Sequence, residues 1–127
     1  MIGYVTLGTN DMEKAASFYD QLLADIGASR MMEMDNRFIA WGTGPGSPML
    51  AVIKPFDESP ATVGNGVMVS LFMENTDKVD ALHKKALELG SKDEGAPGPR
   101  GDGSFYGGYF RDLDGNKLCA FHISEPG

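Results

Sequence analysis

Tyr4-Val5-Thr6-Leu7-Gly8-Thr9-Asn10-Asp11 is an apolar run ending in helix-capping residues, and Met68-Val69-Ser70-Leu71-Phe72-Met73-Glu74-Asn75-Thr76-Asp77 repeats it. A helical pattern follows each run, the first as far as Gly27 and the second as far as Gly90. Each half then closes on a hairpin, around Gly44-Pro45-Gly46 in one and Leu113-Asp114-Gly115 in the other. Neither half is long enough to bury a good core alone, so two copies packed together is the expected solution. A seam between two copies is also where ligand sites tend to form.

In the first helix the expected cap is Asn10, with Glu13 reaching back as a capping box. Ala15, Phe18, Tyr19, Leu22, Leu23 and Ile26 share one face at helical spacing, and Gly27 supplies the left-handed stop. The second helix starts near Thr76 or Asp77, buries Val79, Leu82, Ala86 and Leu89, and ends at Gly90. His83 lies beside lysines, which predicts a solvated position. Strands are expected at about 29–34, 38–43 and 48–54, then at about 91–94, 105–111 and 117–123. The whole chain, 1–127, reads as one α+β domain: module one at about 1–54, a linker at about 55–66 broken by prolines and glycines, and module two at about 67–127. The breaker-rich stretch from Gly95 to Gly103 is expected to be a long loop, suited to a lid. Its Arg100-Gly101-Asp102 tripeptide, without a secretion signal, reads as loop and not as an adhesion motif.

Composition narrows the functions. The 127 residues are 42% hydrophobic, with 17 glycines, 7 prolines and a formal charge of −7. That charge repels phosphate backbones, so no nucleic-acid partner is expected; a cationic ligand would be favoured. No run approaches the roughly 20 apolar residues of a membrane span. The lone Cys119 forms no internal disulfide and suits a reducing cytoplasm, the expected location.

These features together resemble the vicinal oxygen chelate superfamily, which includes glyoxalase I, extradiol dioxygenases and bleomycin-binding proteins. The pieces that carry the resemblance are Asn10-Asp11, the helix from Ala15 to Leu23, and Tyr109-Phe110-Arg111-Asp112-Leu113-Asp114-Gly115-Asn116-Lys117-Leu118. The resemblance implies two βαβββ modules in tandem, forming a curled eight-stranded mixed sheet, or cup, with the helices outside, and a homodimer. In metal-using members the cup holds a divalent cation such as nickel, zinc, iron or manganese at four repeat-related positions. Aligned on the motifs, those positions here are Tyr4, Met68, Cys119 and, by an offset of about 68 residues between the hairpin turns, Ala51. Alanine cannot ligate and methionine is a soft, weak ligand, so no metal and no other cofactor is expected.

Strand parity supplies an independent reading. A three-residue loop at 113–115, with Gly115 left-handed, sets Tyr109 opposite Cys119 and Phe110 opposite Leu118. The cup would then be lined by Tyr4, Thr6, Met68, Ser70, Phe72, Lys117, Cys119 and Phe121. Trp41 is expected as the repeat equivalent of Tyr109, both aromatics flanking the cup as core fillers or ligand platforms. Cys119 reads first as a small buried hydrophobe, because His122 points to the opposite face. Arg100 is a solvated loop charge or an anion clamp. Asp112 and Asp114 read as a turn, since the spacing of a calcium loop is missing.

The expected function is metal-independent binding of a small aromatic or cationic organic molecule in the cup. The alternative is a glyoxalase-I-like lyase or isomerase, or a dioxygenase-type enzyme, with Tyr4 and Cys119 as its non-standard catalytic residues.

Overall fold

The computed structural model describes residues 1–124, which divide into two compact units, Met1–Val63 and Gly64 onward. Unit one runs β1 (Tyr4–Gly8), α1 (Met12–Ala24), β2 (Ser29–Met34), β3 (Phe38–Gly42) and β4 (Met49–Ile53). Unit two runs β5 (Val69–Phe72), α2 (Thr76–Glu88), β6 (Lys92–Arg100), β7 (Phe105–Arg111) and β8 (Lys117–Ile123). Both are βαβββ modules, so the chain is α+β as expected. The eight strands are shared between two mixed sheets of four, ordered β1-β4-β3-β2 and β5-β8-β7-β6. In each, the opening strand pairs in parallel with the closing strand, and the hairpin neighbours are antiparallel.

The two helices start and stop by the same local chemistry. Asp11 caps α1 by accepting from Lys14 N at 3.1 Å, and Asn75 caps α2 by accepting from Lys78 N at 2.9 Å. The cap on α1 is therefore Asp11, not Asn10. Asn10 instead clasps the chain at Ala61, accepting its N–H at 2.6 Å and donating to its carbonyl at 3.1 Å. At the far ends, Ala28 N donates to Leu23 O and Gly27 N to Ala24 O, while Ser91 N donates to Ala86 O and Gly90 N to Leu87 O. Gly27 and Gly90 have φ of +79° and +107°, the left-handed geometry such endings require.

Each helix lays its apolar stripe on one face of its own sheet. In unit one Ala15, Phe18, Tyr19, Leu22 and Leu23 bury against Leu7, Ile39, Trp41, Leu50 and Val52. In unit two Val79, Leu82 and Ala86 bury with Phe110, Leu118 and Ala120. Each fully buried Leu, Val or Phe contributes about 1.5–3 kcal/mol, enough to fix which strand face turns to the helix.

Two expectations need correction here. The stretch from Gly95 to Arg100 is not a lid loop: it continues β6, paired with β7 through register shifts between Asp93 and Gly95 and between Gly95 and Gly98. The prolines and glycines are accommodated at those irregularities of an edge strand, where a missing N–H leaves no ladder bond unmade. His83 is not solvated but 4% exposed. Its Nε2 lies 3.1 Å from Asp93 Oδ1 and 3.2 Å from Tyr109 O, tying α2 to β6 and β7. Among the described residues, no helix is long and apolar enough to cross a membrane.

Candidate functional site

The hairpin between β7 and β8 determines where the unit-two side chains point. Asp112 N donates to Asn116 O at 2.8 Å, leaving 113–115 as a three-residue loop with Gly115 at φ +94°. The Asp112 carboxylate accepts from Asp114 N and Asn116 N, both at 2.9 Å, and from Asn116 Nδ2 at 3.0 Å. Tyr109 accordingly pairs with Cys119 and Phe110 with Leu118, as parity predicts. Ser70 pairs with Cys119 and Phe72 with Phe121 across the parallel ladder. Because Phe110 and Leu118 turn to α2, the opposite face carries Ser70, Phe72, Tyr109, Lys117, Cys119 and Phe121.

That face is apolar and open at one end, polar at the other. Phe72, at the apolar end, is 62% exposed, and Met68, directly before β5 and level with Lys117, is 41% exposed. Phe72 meets Phe121 edge to face at 5.6 Å, and Phe105 stacks on Phe121 at 5.4 Å with the rings 7° apart. The stack needs Gly107 between them, since a Cβ there would come within 2.6 Å of Phe105 Cε1. Phe105 belongs to this surface but was absent from the sequence reading; counting by twos from Tyr109 through Gly107 would have reached it. At the polar end Arg100 Cζ and Lys117 Nζ each lie 5.5 Å from the centre of the Tyr109 ring. Burial pushes the Cys119 thiol upward, and its neighbours Ser70, Tyr109, Arg100 and Lys117 only partly oppose that. The Tyr109 hydroxyl is also raised, first by burial and then by Cys119. His122 bonds away, its Nδ1 2.8 Å from Met73 O.

In unit one Tyr4 and Thr6 lie on the face turned from α1, Tyr4 58% exposed and edge-on to Phe38 at 6.0 Å. Thr6 pairs with Ala51 as Ser70 pairs with Cys119, so Ala51 and Cys119 are equivalent positions of the repeat. Trp41 is not on this face. It pairs with Leu50, whereas Ala40 pairs with Ala51, so Ala40 is the counterpart of Tyr109. The turn after Gly42 is longer by one residue than that after Arg111, and one residue reverses the parity of everything before it. Trp41 is 1% exposed against Tyr19 at 5.5 Å, and its Nε1 donates to Asp20 Oδ1 at 2.8 Å.

Asp20 also receives Arg30 through Nε at 2.9 Å and Nη2 at 2.7 Å, and Arg30 Nη1 reaches Glu33 at 2.6 Å. The Arg30 guanidinium holds the Asp20 carboxyl below its usual range, against some burial. These groups line a hollow of about 530 Å³ between α1 and the β2–β3 hairpin. Its one cation, Arg30, is already taken by Asp20 and Glu33, so this cluster has the character of a structural clasp.

The donor set at the four positions that the resemblance would assign to a metal does not fit a divalent ion. Ala51 has no donor, Met68 offers a thioether, and Cys119 would have to ionise against the burial that raises it. Among the described residues, no group of three or more His, Cys, Asp or Glu lies close enough to hold a metal.

The family model described as Glyoxalase/Bleomycin resistance protein/Dioxygenase superfamily matches residues 1–120. The chain belongs to this superfamily. A glyoxalase/bleomycin resistance protein from Albidiferax ferrireducens T118 is 32% identical, covering 96% of this chain and 98% of that one, with a TM-score of 0.84. A hypothetical protein from S. aureus is 26% identical over 97% and 93% of the two chains, at 0.73. Lactoylglutathione lyase from Agrobacterium tumefaciens shares the glyoxalase-superfamily fold at 19% identity, 96% and 92% coverage and 0.69. No curated protein matches the chain in sequence.

Proposed function

We propose that this superfamily member binds a small aromatic organic molecule, without a metal, on the unit-two sheet face. The observation that carries the reading is the combination of exposed Phe72 and Met68 with the Phe105–Phe121 stack and the Tyr109 ring on one surface. Flat apolar walls with a few polar groups at one end suit a planar ligand. Of the two ligand classes that composition allows, aromatic and cationic, the aromatic one is favoured. Arg100 and Lys117 at the polar end repel a cation despite the net charge of −7. Two measurements test this. Nuclear magnetic resonance titration with a naphthalene derivative should shift Ser70, Phe72, Tyr109 and Cys119. Elemental analysis of protein purified without chelator should find no stoichiometric metal; one equivalent of nickel, zinc, iron or manganese would end the metal-independent reading.

The second reading is a lyase of glyoxalase type, favoured by superfamily membership and by the structural likeness to a protein named lactoylglutathione lyase. Its difficulty is a proton shuttle. Cys119 and Tyr109 are both shifted away from ionisation, and a general base works best with its pKa near the working pH. Turnover of the hemithioacetal of glutathione and methylglyoxal, abolished by Tyr4→Phe, would replace the binding reading with this one.

A further inference from the structure

The acidic chain keeps two positive charges on its candidate ligand surface without neutralising them. Among the described residues, neither Arg100 nor Lys117 forms an ion pair with a carboxylate, although the other three arginines, Arg30, Arg37 and Arg111, all do. Glu94, the carboxylate whose field reaches Lys117, is itself held by Arg111 at 2.6 Å. Arg100 is fixed by backbone instead: Nη2 donates to Ala96 O at 2.8 Å and Nη1 to Pro99 O at 3.2 Å. The guanidinium lies across Gly98, where a Cβ would come within 3.2 Å of Nη1, and over the face of Tyr109. Carbonyl partners hold the group in place but leave its charge intact. Lys117 reaches the same ring from β8, and Ser70, paired with the buried Cys119, completes the polar end.

From these two unneutralised charges, each beside the Tyr109 ring, we propose that the ligand of the unit-two face is an aromatic acid: its ring lies on the Phe72, Phe105 and Phe121 surface and its oxyanion, a carboxylate or a phosphate, is held by Arg100 and Lys117. The inference rests on the aromatic-ligand reading above and adds the charge of the ligand to it. A pair of cations seated on one ring, with one of them preorganised by backbone, binds an oxyanion with little further ordering. A neutral or cationic aromatic would leave both charges facing it unmatched.

The test is a resonance titration of the full chain with 1-naphthoate, 1-naphthyl phosphate, 1-naphthamide and 1-naphthylmethylamine. One or both anions should bind about tenfold more tightly than the amide, with the amine weakest, and the better anion identifies the oxyanion. Arg100→Gln and Lys117→Gln should each remove most of that preference, and added salt should weaken the anions more than the amide. Equal binding of amide and anions, with shifts at Ser70, Phe72 and Cys119, would overturn the anion inference but leave the aromatic site standing. Shifts by none of the four compounds at those residues would overturn both. Wild-type-like spectra of the two variants guard against a folding artefact.

Discussion

Replacing Asp112 should test whether one turn carboxylate sets the register of the candidate site. It is 5% exposed and accepts hydrogen bonds from Asp114 N, Asn116 N and Asn116 Nδ2. Bonds to a charged acceptor contribute about 1.5–3 kcal/mol each. Asp114 is only partly buried, so its N–H can turn to water, but Asn116 is 8% exposed and its two donors cannot. Counting those two at the low end, Asp112→Ala should lower stability by about 3 kcal/mol, a large part of the 5–15 kcal/mol typical of a domain. With a urea dependence of about 2 kcal/mol per molar, the unfolding midpoint falls by about 1.5 M. Asp112→Asn keeps one oxygen for the backbone donors but sets an amide nitrogen against Asn116 Nδ2, and should cost about 2 kcal/mol. Urea unfolding followed by circular dichroism gives the energies. Cross-strand nuclear Overhauser contacts between Tyr109 and Cys119 report the register, which should loosen in the alanine variant. A loss below about 0.5 kcal/mol, the range of a neutral surface change, with the contacts intact would refute the role assigned to the carboxylate.

Two further outcomes follow from the electrostatics. Asp20 has a depressed folded pKa, chiefly through Arg30, so its contribution to stability is present above the ordinary aspartate value and lost as pH falls through the folded one. Asp20→Asn should therefore be less stable than wild type at neutral pH, and the gap should close below about pH 3.9; a gap unchanged in acid would contradict the pairing. Cys119 is buried and its thiol is raised, so a thiol reagent at neutral pH should label the native chain about a hundredfold more slowly than the urea-unfolded chain. Comparable rates would show the sulfur to be open and reactive.

Local chemistry was legible where a residue's role is decided within a few positions. The two helices could be read from caps, apolar spacing and the closing glycines, and the error at the first cap, Asn10 for Asp11, lay between two adjacent residues that both cap well. The face shared by Ser70, Tyr109, Cys119, Lys117 and Phe121 followed from one turn and the alternation of a strand. The same alternation failed for Trp41 because repeat symmetry was applied across turns of different length. His83 was misread because lysines beside it in sequence suggested water, whereas its partners Asp93 and Tyr109 arrive from other strands.

Periodicity, capping and turn residues thus determined by themselves the duplicated βαβββ plan and the register of the last hairpin. These depend on neighbours within one turn or one strand, which the order of residues already supplies. Only the tertiary structure decided that the stretch from Gly95 to Arg100 pairs as an edge strand, that Trp41 turns to its helix, and that Arg100 and Lys117 each lie beside the Tyr109 ring. Each of those depends on hydrogen bonds, burial or charge shared between segments brought together by folding, where no local pattern carries the information.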